Sequence, residues 1–325
     1  MKVLIADKFH EFGVAALKDA GCEVIVSPEL KDDALAECIK SEGPGVLIVR
    51  STKVTAPMIG ASDELRLVIR AGSGYDTIDV AAATERGVRV CNCPGKNSVA
   101  VAELTLGLMI ALDRQIVDET DDLRRGVWNK KHYSKARGLK GRTLGIVGLG
   151  RIGYEVAKRA AAFEMKLVYC DIVARADLER ELGLSRVTFD ELLAQADFVT
   201  VHVPGGATTE HLINEAELAK MKPTAYLINC SRGGVISEEA LAKAMDGGRL
   251  GGAALDVYEI EPGATDTEFK DPIPKVPHVY GTHHVGASTE QAQEAVAEET
   301  VRIVRAFVDK GEFINCVNPP QTVAM

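Results

Sequence analysis

Three short segments in the second half of the chain each end an apolar run with groups that can hold an anion or move a proton. Asn229-Cys230-Ser231-Arg232-Gly233-Gly234 places an arginine after one run, and Asp256-Val257-Tyr258-Glu259-Ile260-Glu261-Pro262 places acids after a second. Gly281-Thr282-His283-His284-Val285-Gly286 places two histidines after a third. Arginine offers a fork to a carboxylate, histidine accepts a proton near neutral pH, and an acid beside it can hold the imidazole. Singly these are a loop charge, turn acids and strand-end histidines. Together they supply what hydride transfer from an alcohol needs, given a hydride acceptor held nearby.

The stretch from Arg142 to Asp171 provides for that acceptor. An apolar run, Thr143 to Val147, feeds into Gly148-Leu149-Gly150-Arg151-Ile152-Gly153; an alanine-rich helical segment follows, then a second strand, Lys166 to Cys170, ending on Asp171. Gly148 allows the tight turn, Gly150 lets backbone approach a pyrophosphate, and Gly153 lets helix and strand pack closely. Arg151 and Ile152 open the helix whose free N–H groups receive the phosphates. Asp171 falls where a carboxylate accepts from the ribose 2′- and 3′-hydroxyls and repels a 2′-phosphate, so NAD is the expected cofactor rather than NADP. Arg175, four residues on, reads as a solvated surface charge.

At 325 residues the chain exceeds what one core usually serves, so two domains are expected. A net charge of −9 argues against nucleic acid or an anionic membrane as the main partner. The seven cysteines are odd in number and scattered, which reads as reduced thiols of a cytoplasmic protein. Cys91-Asn92-Cys93 lacks a second ligand pair, so no metal is expected. The N-terminus, M-K-V-L-I-A-D, is too briefly apolar for a signal peptide. Val99 to Leu112 is too short to span a bilayer and carries Glu103, so it reads as a buried helix.

Before the fingerprint, strands are expected at Val3–Ala6, Glu23–Val26, Val46–Arg50, Leu67–Ile69 and Val88–Cys91, alternating with helices, as in an open parallel sheet. Two of these strands end on Arg50 and on Arg70-Ala71-Gly72-Ser73-Gly74. The two forks and the Ser73 and Gly74 N–H groups make a cradle for an anion. Ser98 reads as the N-cap of the next helix, and Ser288-x-x-Gln291 as a capping box for a long helix to about Asp309. The segment from Val99 through Trp128 to Lys140 has no sheet of its own in this reading, so a partner subunit is expected to bury it. Beyond the fingerprint, strands are expected at Phe198–Val201, Tyr226–Asn229, Ala253–Leu255 and Val279–Tyr280.

The ordered set V-R-S-T-K-V-T, R-A-G-S-G-Y-D-T-I-D, G-K-N-S-V-A-V-A-E, G-L-G-R-I-G, N-C-S-R-G-G, A-L-D-V-Y-E-I-E-P and H-V-G-A-S-T-E-Q-A-Q-E-A resembles the D-isomer-specific 2-hydroxyacid dehydrogenases over nearly the whole chain. The resemblance implies an α/β protein of two doubly wound parallel-sheet domains: a Rossmann NAD-binding domain, residues 99–285, inserted in a flavodoxin-like substrate domain, residues 1–98 and 286–325. Residues 99–140 would be a dimerisation helix and arm of a homodimer or homotetramer. It also implies Arg232, Glu261 and His284 as catalytic arginine, glutamate and histidine, with His284 rather than His283 because it stands in register before Val285-Gly286-Ala287-Ser288-Thr289. His284 would accept the hydroxyl proton, Glu261 would orient the imidazole and favour its protonated form, and Arg232 would bind the carboxylate. Cys230, Asp256, His284 and Gly286 would line the cofactor site. Arg50, Arg70, Asn97 and, from a neighbouring subunit, Lys130 would hold an anionic substrate end, with Ser73 and Gly74 beside them. Within the family the pattern is nearest to members that oxidise D-3-phosphoglycerate, with reduction of hydroxypyruvate or glyoxylate as the near alternative and NADH-sensing interaction proteins as the remote one. The family usually has proline where His283 stands. With the sequence ending at Met325, the C-terminal regulatory domain many such members carry is not expected.

Overall fold

The computed structural model describes residues 1–262 and 268–319. The chain divides into two compact units, Met1–Asn97 together with the segment from Ser288 on, and Ser98–Ala287.

The first unit is a five-stranded parallel sheet of β1 (Lys2–Ile5), β2 (Glu23–Val26), β3 (Val46–Val49), β4 (Leu67–Arg70) and β5 (Arg89–Asn92) in the order β2-β1-β3-β4-β5. This is the flavodoxin-like order. Its inner strands are near-continuous aliphatic runs such as Val46-Leu47-Ile48-Val49, buried throughout, because a parallel sheet is covered on both faces. The helix Glu290–Lys310 completes the unit, with Val301, Ile303 and Val304 in one core cluster with β1, β3 and β4. Its N-cap is Thr289, not Ser288: Thr289 has the extended backbone and its Oγ1 accepts from Ala292 N at 3.2 Å. Ser288 Oγ accepts instead from the Arg50 guanidinium at 3.4 Å.

The second unit has seven parallel strands: β6 (Thr143–Val147), β7 (Lys166–Cys170), β8 (Ser185–Arg186), β9 (Phe198–Val201), β10 (Tyr226–Asn229), β11 (Gly252–Leu255) and β12 (Val279–Gly281). Their order, β12-β11-β10-β9-β6-β7-β8, is the Rossmann arrangement with a seventh strand, and β6 beside β9 is its switch point. β8, a two-residue edge strand, carries no apolar pattern that would announce it.

The helix Ser98–Arg114 corrects two expectations. Ser98 is its first helical residue rather than its cap. The helix also does not wait for a partner: Val101, Ala102, Leu106, Met109 and Leu112 are buried in one cluster with Leu144, Ile146, Val156 and Ile228 of its own unit. Val99 in its first turn is exposed, and further exposed apolar residues lie beyond the helix, at Ile116, Val117, Leu123, Val127 and Trp128, the last 79% exposed. Among the described residues no helix is long and apolar enough to cross a membrane.

Candidate active site

Register aligns the chemistry of the second unit. Asn229 pairs with Leu255 and Leu255 with Gly281, so the segments beginning at Cys230, Asp256 and Thr282 leave the sheet at one edge. There Glu261 Oε2 meets His284 Nδ1 at 2.7 Å, and Glu261 Oε1 accepts from Tyr258 N at 3.1 Å. Burial alone would raise the Glu261 carboxyl. The hydrogen bond and charge of His284, the Tyr258 N–H and the charge of Arg232 outweigh it and hold the group below the usual carboxylate range. Arg232, Glu261 and His284 therefore form one electrostatic unit. His283 is exposed and has no carboxylate partner among the described residues.

His284 sits at φ +52°, a left-handed conformation that a non-glycine residue holds only when its surroundings impose it. Asp256 imposes it. This carboxylate, 2% exposed, accepts from Thr282 Oγ1 at 2.7 Å, Val285 N at 2.8 Å and Gly286 N at 2.8 Å, closing the turn around His284. A Cβ on Gly286 would lie 2.8 Å from Asp256 Oδ2, which is why glycine stands there. Asp256 and Gly286, expected against the cofactor, are thus engaged with each other in shaping the histidine turn. Cys230 likewise turns its thiol into the core, hydrogen-bonded with Thr105, and burial pushes that thiol up to about 12; only its backbone remains for a ligand.

At the switch point Val147 pairs with Val201, which sets Gly148 beside His202. Gly148 has φ +92°, and a Cβ on it would lie 2.9 Å from the His202 carbonyl oxygen. A Cβ on Gly153 would lie 2.3 Å from the Gly148 oxygen, whereas one on Gly150 would meet nothing within 4 Å. The helix Arg151–Ala162 begins with no side-chain cap at Gly150, so its first N–H groups, from Arg151 on, face that open space. Asp171 Oδ2 accepts from Leu149 N at 2.7 Å and Oδ1 from Val173 N at 2.9 Å, which fixes the carboxylate beside the glycine turn. Open backbone over Gly150, an uncapped helix start and a fixed acid fit a dinucleotide.

Two further residues border that site. Arg175 keeps a side chain 37% exposed, and its guanidinium also donates to Leu149 O at 3.2 Å and bears on Asp177. His202 went unread; its Nε2 lies 2.9 Å from Thr200 Oγ1, and burial pushes the imidazole down to about 3, so it stays neutral under the glycine turn.

In the first unit, Gly72 at φ +156° leaves room for Arg70, whose Nη1 stands 1.4 Å from where a Cβ would be. Ser73 Oγ donates to Asn97 Oδ1 at 2.7 Å, and Gly95 N donates to Ser73 Oγ at 3.3 Å, so Arg70, Ser73 and Asn97 share one corner, with Gly74 next in the turn. The loop at Arg50 is held by Asp7, which no motif in the sequence marks. Asp7 Oδ2 accepts from the backbone of Arg50, Ser51 and Thr52 at 2.6, 3.1 and 3.0 Å. Asp7 lies two residues past β1 and Asp171 directly past β7, so both are acids at strand ends. Lys130 opens the short helix Lys130–Tyr133 on the exposed arm of the second unit.

Residues 106–286 match the family described as "D-isomer specific 2-hydroxyacid dehydrogenase, NAD binding domain". Over 327 aligned residues the chain is 42% identical to the D-3-phosphoglycerate dehydrogenase of Methanocaldococcus jannaschii, covering 99% of this chain and 60% of that protein. It is 44% identical over 278 residues to the hydroxypyruvate reductase of Thermotoga maritima, covering 85% of this chain and 88% of that one. The TT0316 protein of Thermus thermophilus has the same fold at a TM-score of 0.88 and 33% identity, covering 98% of this chain and all of that one. The chain spans about 60% of the length of the first of these relatives. It belongs to the D-isomer-specific 2-hydroxyacid dehydrogenases, and its second unit is the NAD-binding domain of that family.

Proposed function

We propose that the protein oxidises D-3-phosphoglycerate to 3-phosphohydroxypyruvate with NAD, as a cytoplasmic enzyme of serine synthesis. The single observation that carries the reading is the 2.7 Å pair of His284 Nδ1 and Glu261 Oε2, with the Arg232 charge acting on the same carboxylate. With Nδ1 engaged, Nε2 is left to accept the C2 hydroxyl proton, and the ionised Glu261 carboxylate stabilises the imidazolium that forms. Arg232 holds the substrate carboxylate and polarises the C2 oxygen as it becomes a carbonyl. NAD, when bound, supplies the acceptor for the hydride leaving C2. Gly148, Gly150, Arg151, Ile152 and Gly153 would hold its pyrophosphate and Asp171 its ribose. Arg50 and Arg70, with Ser73, Gly74 and Asn97, suit a second anionic end, since two forks exceed what one carboxylate requires. The exposed apolar residues from Ile116 to Trp128 support a homodimer or homotetramer through the arm, with Lys130 lent to the neighbouring subunit.

A second reading, reduction of hydroxypyruvate or a similar unphosphorylated 2-keto acid, is favoured by the Thermotoga maritima relative, whose length the chain spans more fully. Both use the same groups, since imidazolium protonates the ketone in the reverse direction.

His284→Ala tests the assignment. Turnover should fall by about 10²–10⁴-fold while the NADH dissociation constant, from a fluorescence titration, stays within about threefold. Undiminished turnover would remove His284 from the reaction.

A further inference from the structure

The turn that presents Glu261 is fastened from outside the catalytic set. Glu238, the first residue of the helix Glu238–Asp246, is 8% exposed although it is a carboxylic acid at a helix start. Its Oε1 accepts from Glu259 N at 2.8 Å, and its own N–H donates to Glu259 Oε1 at 3.0 Å. The two residues thus hold each other by backbone and side chain, two positions before Glu261. Glu259 Oε1 also meets His211 Nε2 at 3.0 Å, and His211 N donates to Gly234 O at 2.7 Å. A Cβ on Gly233 would lie 1.8 Å from Tyr258 O and 2.6 Å from Glu259 N, so the same backbone rests directly on the residue after Arg232. The other side of Glu238 meets the Asp271 carboxyl; burial and then that hydrogen bond push Glu238 up to about 8, so the pair keeps a proton at neutral pH.

We propose that Glu238 is a positioning residue: by holding the Glu259 N–H it fixes the turn from Tyr258 to Glu261 and so keeps the Glu261 carboxylate on His284. Glu238 does not touch the reacting atoms. It acts through two links, the Glu259 backbone and the Tyr258 N–H to Glu261, while Gly233 ties the turn to the Arg232 loop. The inference rests on the dehydrogenase reading for its kinetic consequence and on the geometry alone for its structural one.

The experiment measures two quantities on the full-length chain: steady-state kinetics with NAD and the 2-hydroxy acid that the unsubstituted protein turns over best, and the ¹⁵N imidazole signals of His284, assigned by their loss in His284→Ala. Glu238→Leu keeps the buried volume and removes the acceptor. It should lower kcat by about 10–100-fold, leave KM within about twofold, and move the His284 ring signals. Glu238→Gln should restore both, because its amide oxygen accepts from Glu259 N and its NH₂ donates to Asp271 as the protonated acid does. Should the Leu variant not fold, the exposed Glu259→Ala removes the return bond and should move the ring signals the same way by less. Unmoved ring signals in Glu238→Leu, or in Glu259→Ala where that variant must stand in, overturn the proposal, as does a Gln variant as impaired as Leu. Absence of turnover in the unsubstituted protein, with the ring signals still moving on substitution, counts against the dehydrogenase reading and leaves the positioning role supported.

Discussion

Asp256 and Glu238 are both buried carboxyls, and their surroundings drive them to opposite uses. Asp256 meets three hydrogen-bond donors and shapes the His284 turn. Glu238 meets one donor, the Glu259 N–H, and a second carboxyl, and it rises from the usual 4.5 to about 8. A group raised on folding binds its proton more tightly in the native than in the unfolded chain. Its stabilisation is complete below pH 4.5 and is lost as pH rises through about 8. Glu238→Gln has nothing to ionise there, so its melting temperature should gain on the parent between pH 6 and pH 9, by roughly 3 °C or more at the upper end. A pH-independent difference would mean that Glu238 does not titrate in this window. Neither role was legible beforehand. An acid in the first turn of a helix suits the helix dipole, and the partner that gives Glu238 another role lies 21 residues away. The donors to Asp256 come from 26 to 30 residues downstream. The segments that carry Arg232, Glu261 and His284 could be placed because each follows a strand, while the resemblance to the family singled out these three residues within them.

At the scale of the element, the glycine turn separates two jobs that one motif combines. Gly153 is a packing glycine, its absent Cβ replaced by the Gly148 carbonyl at 2.3 Å, whereas Gly150 has open space. Gly153→Ala should therefore lower stability by about 1–3 kcal/mol in urea unfolding and weaken NADH binding together. Gly150→Ala should leave the unfolding midpoint nearly unchanged and weaken NADH binding by about tenfold or more, because its methyl occupies the pyrophosphate approach. Equal NADH affinity in Gly150→Ala and the parent would remove the phosphates from that site. Strand, turn, helix, strand and acid could be read here from residues 143 to 171 because each step is local. Caps were harder: Ser288 and Thr289 both suit the position, and the backbone angles and the bond from Ala292 N select Thr289.

At the scale of the molecule, the two sheets follow from apolar runs bounded by turn residues, and most strand positions could be placed within a residue. What escaped was set by packing between distant segments. The helix Ser98–Arg114, apolar on most sides, was assigned to a partner because nothing in its own sequence says that it lies on the sheet of the second unit. The hydrogen bond of Arg175 escaped because its acceptor, the Leu149 carbonyl, belongs to the turn 26 residues earlier. In the proposed function Arg50 and Arg70 hold the phosphate and Arg232 the carboxylate, so discrimination among acids tests those assignments. The most direct measurement is NADH formation at alkaline pH with D-3-phosphoglycerate, D-glycerate and D-lactate side by side, each with NAD and with NADP. The account predicts a strong preference for the phosphorylated acid with NAD. Comparable rates on the three acids would contradict the phosphate cradle, and no turnover of any of them would contradict the dehydrogenase itself.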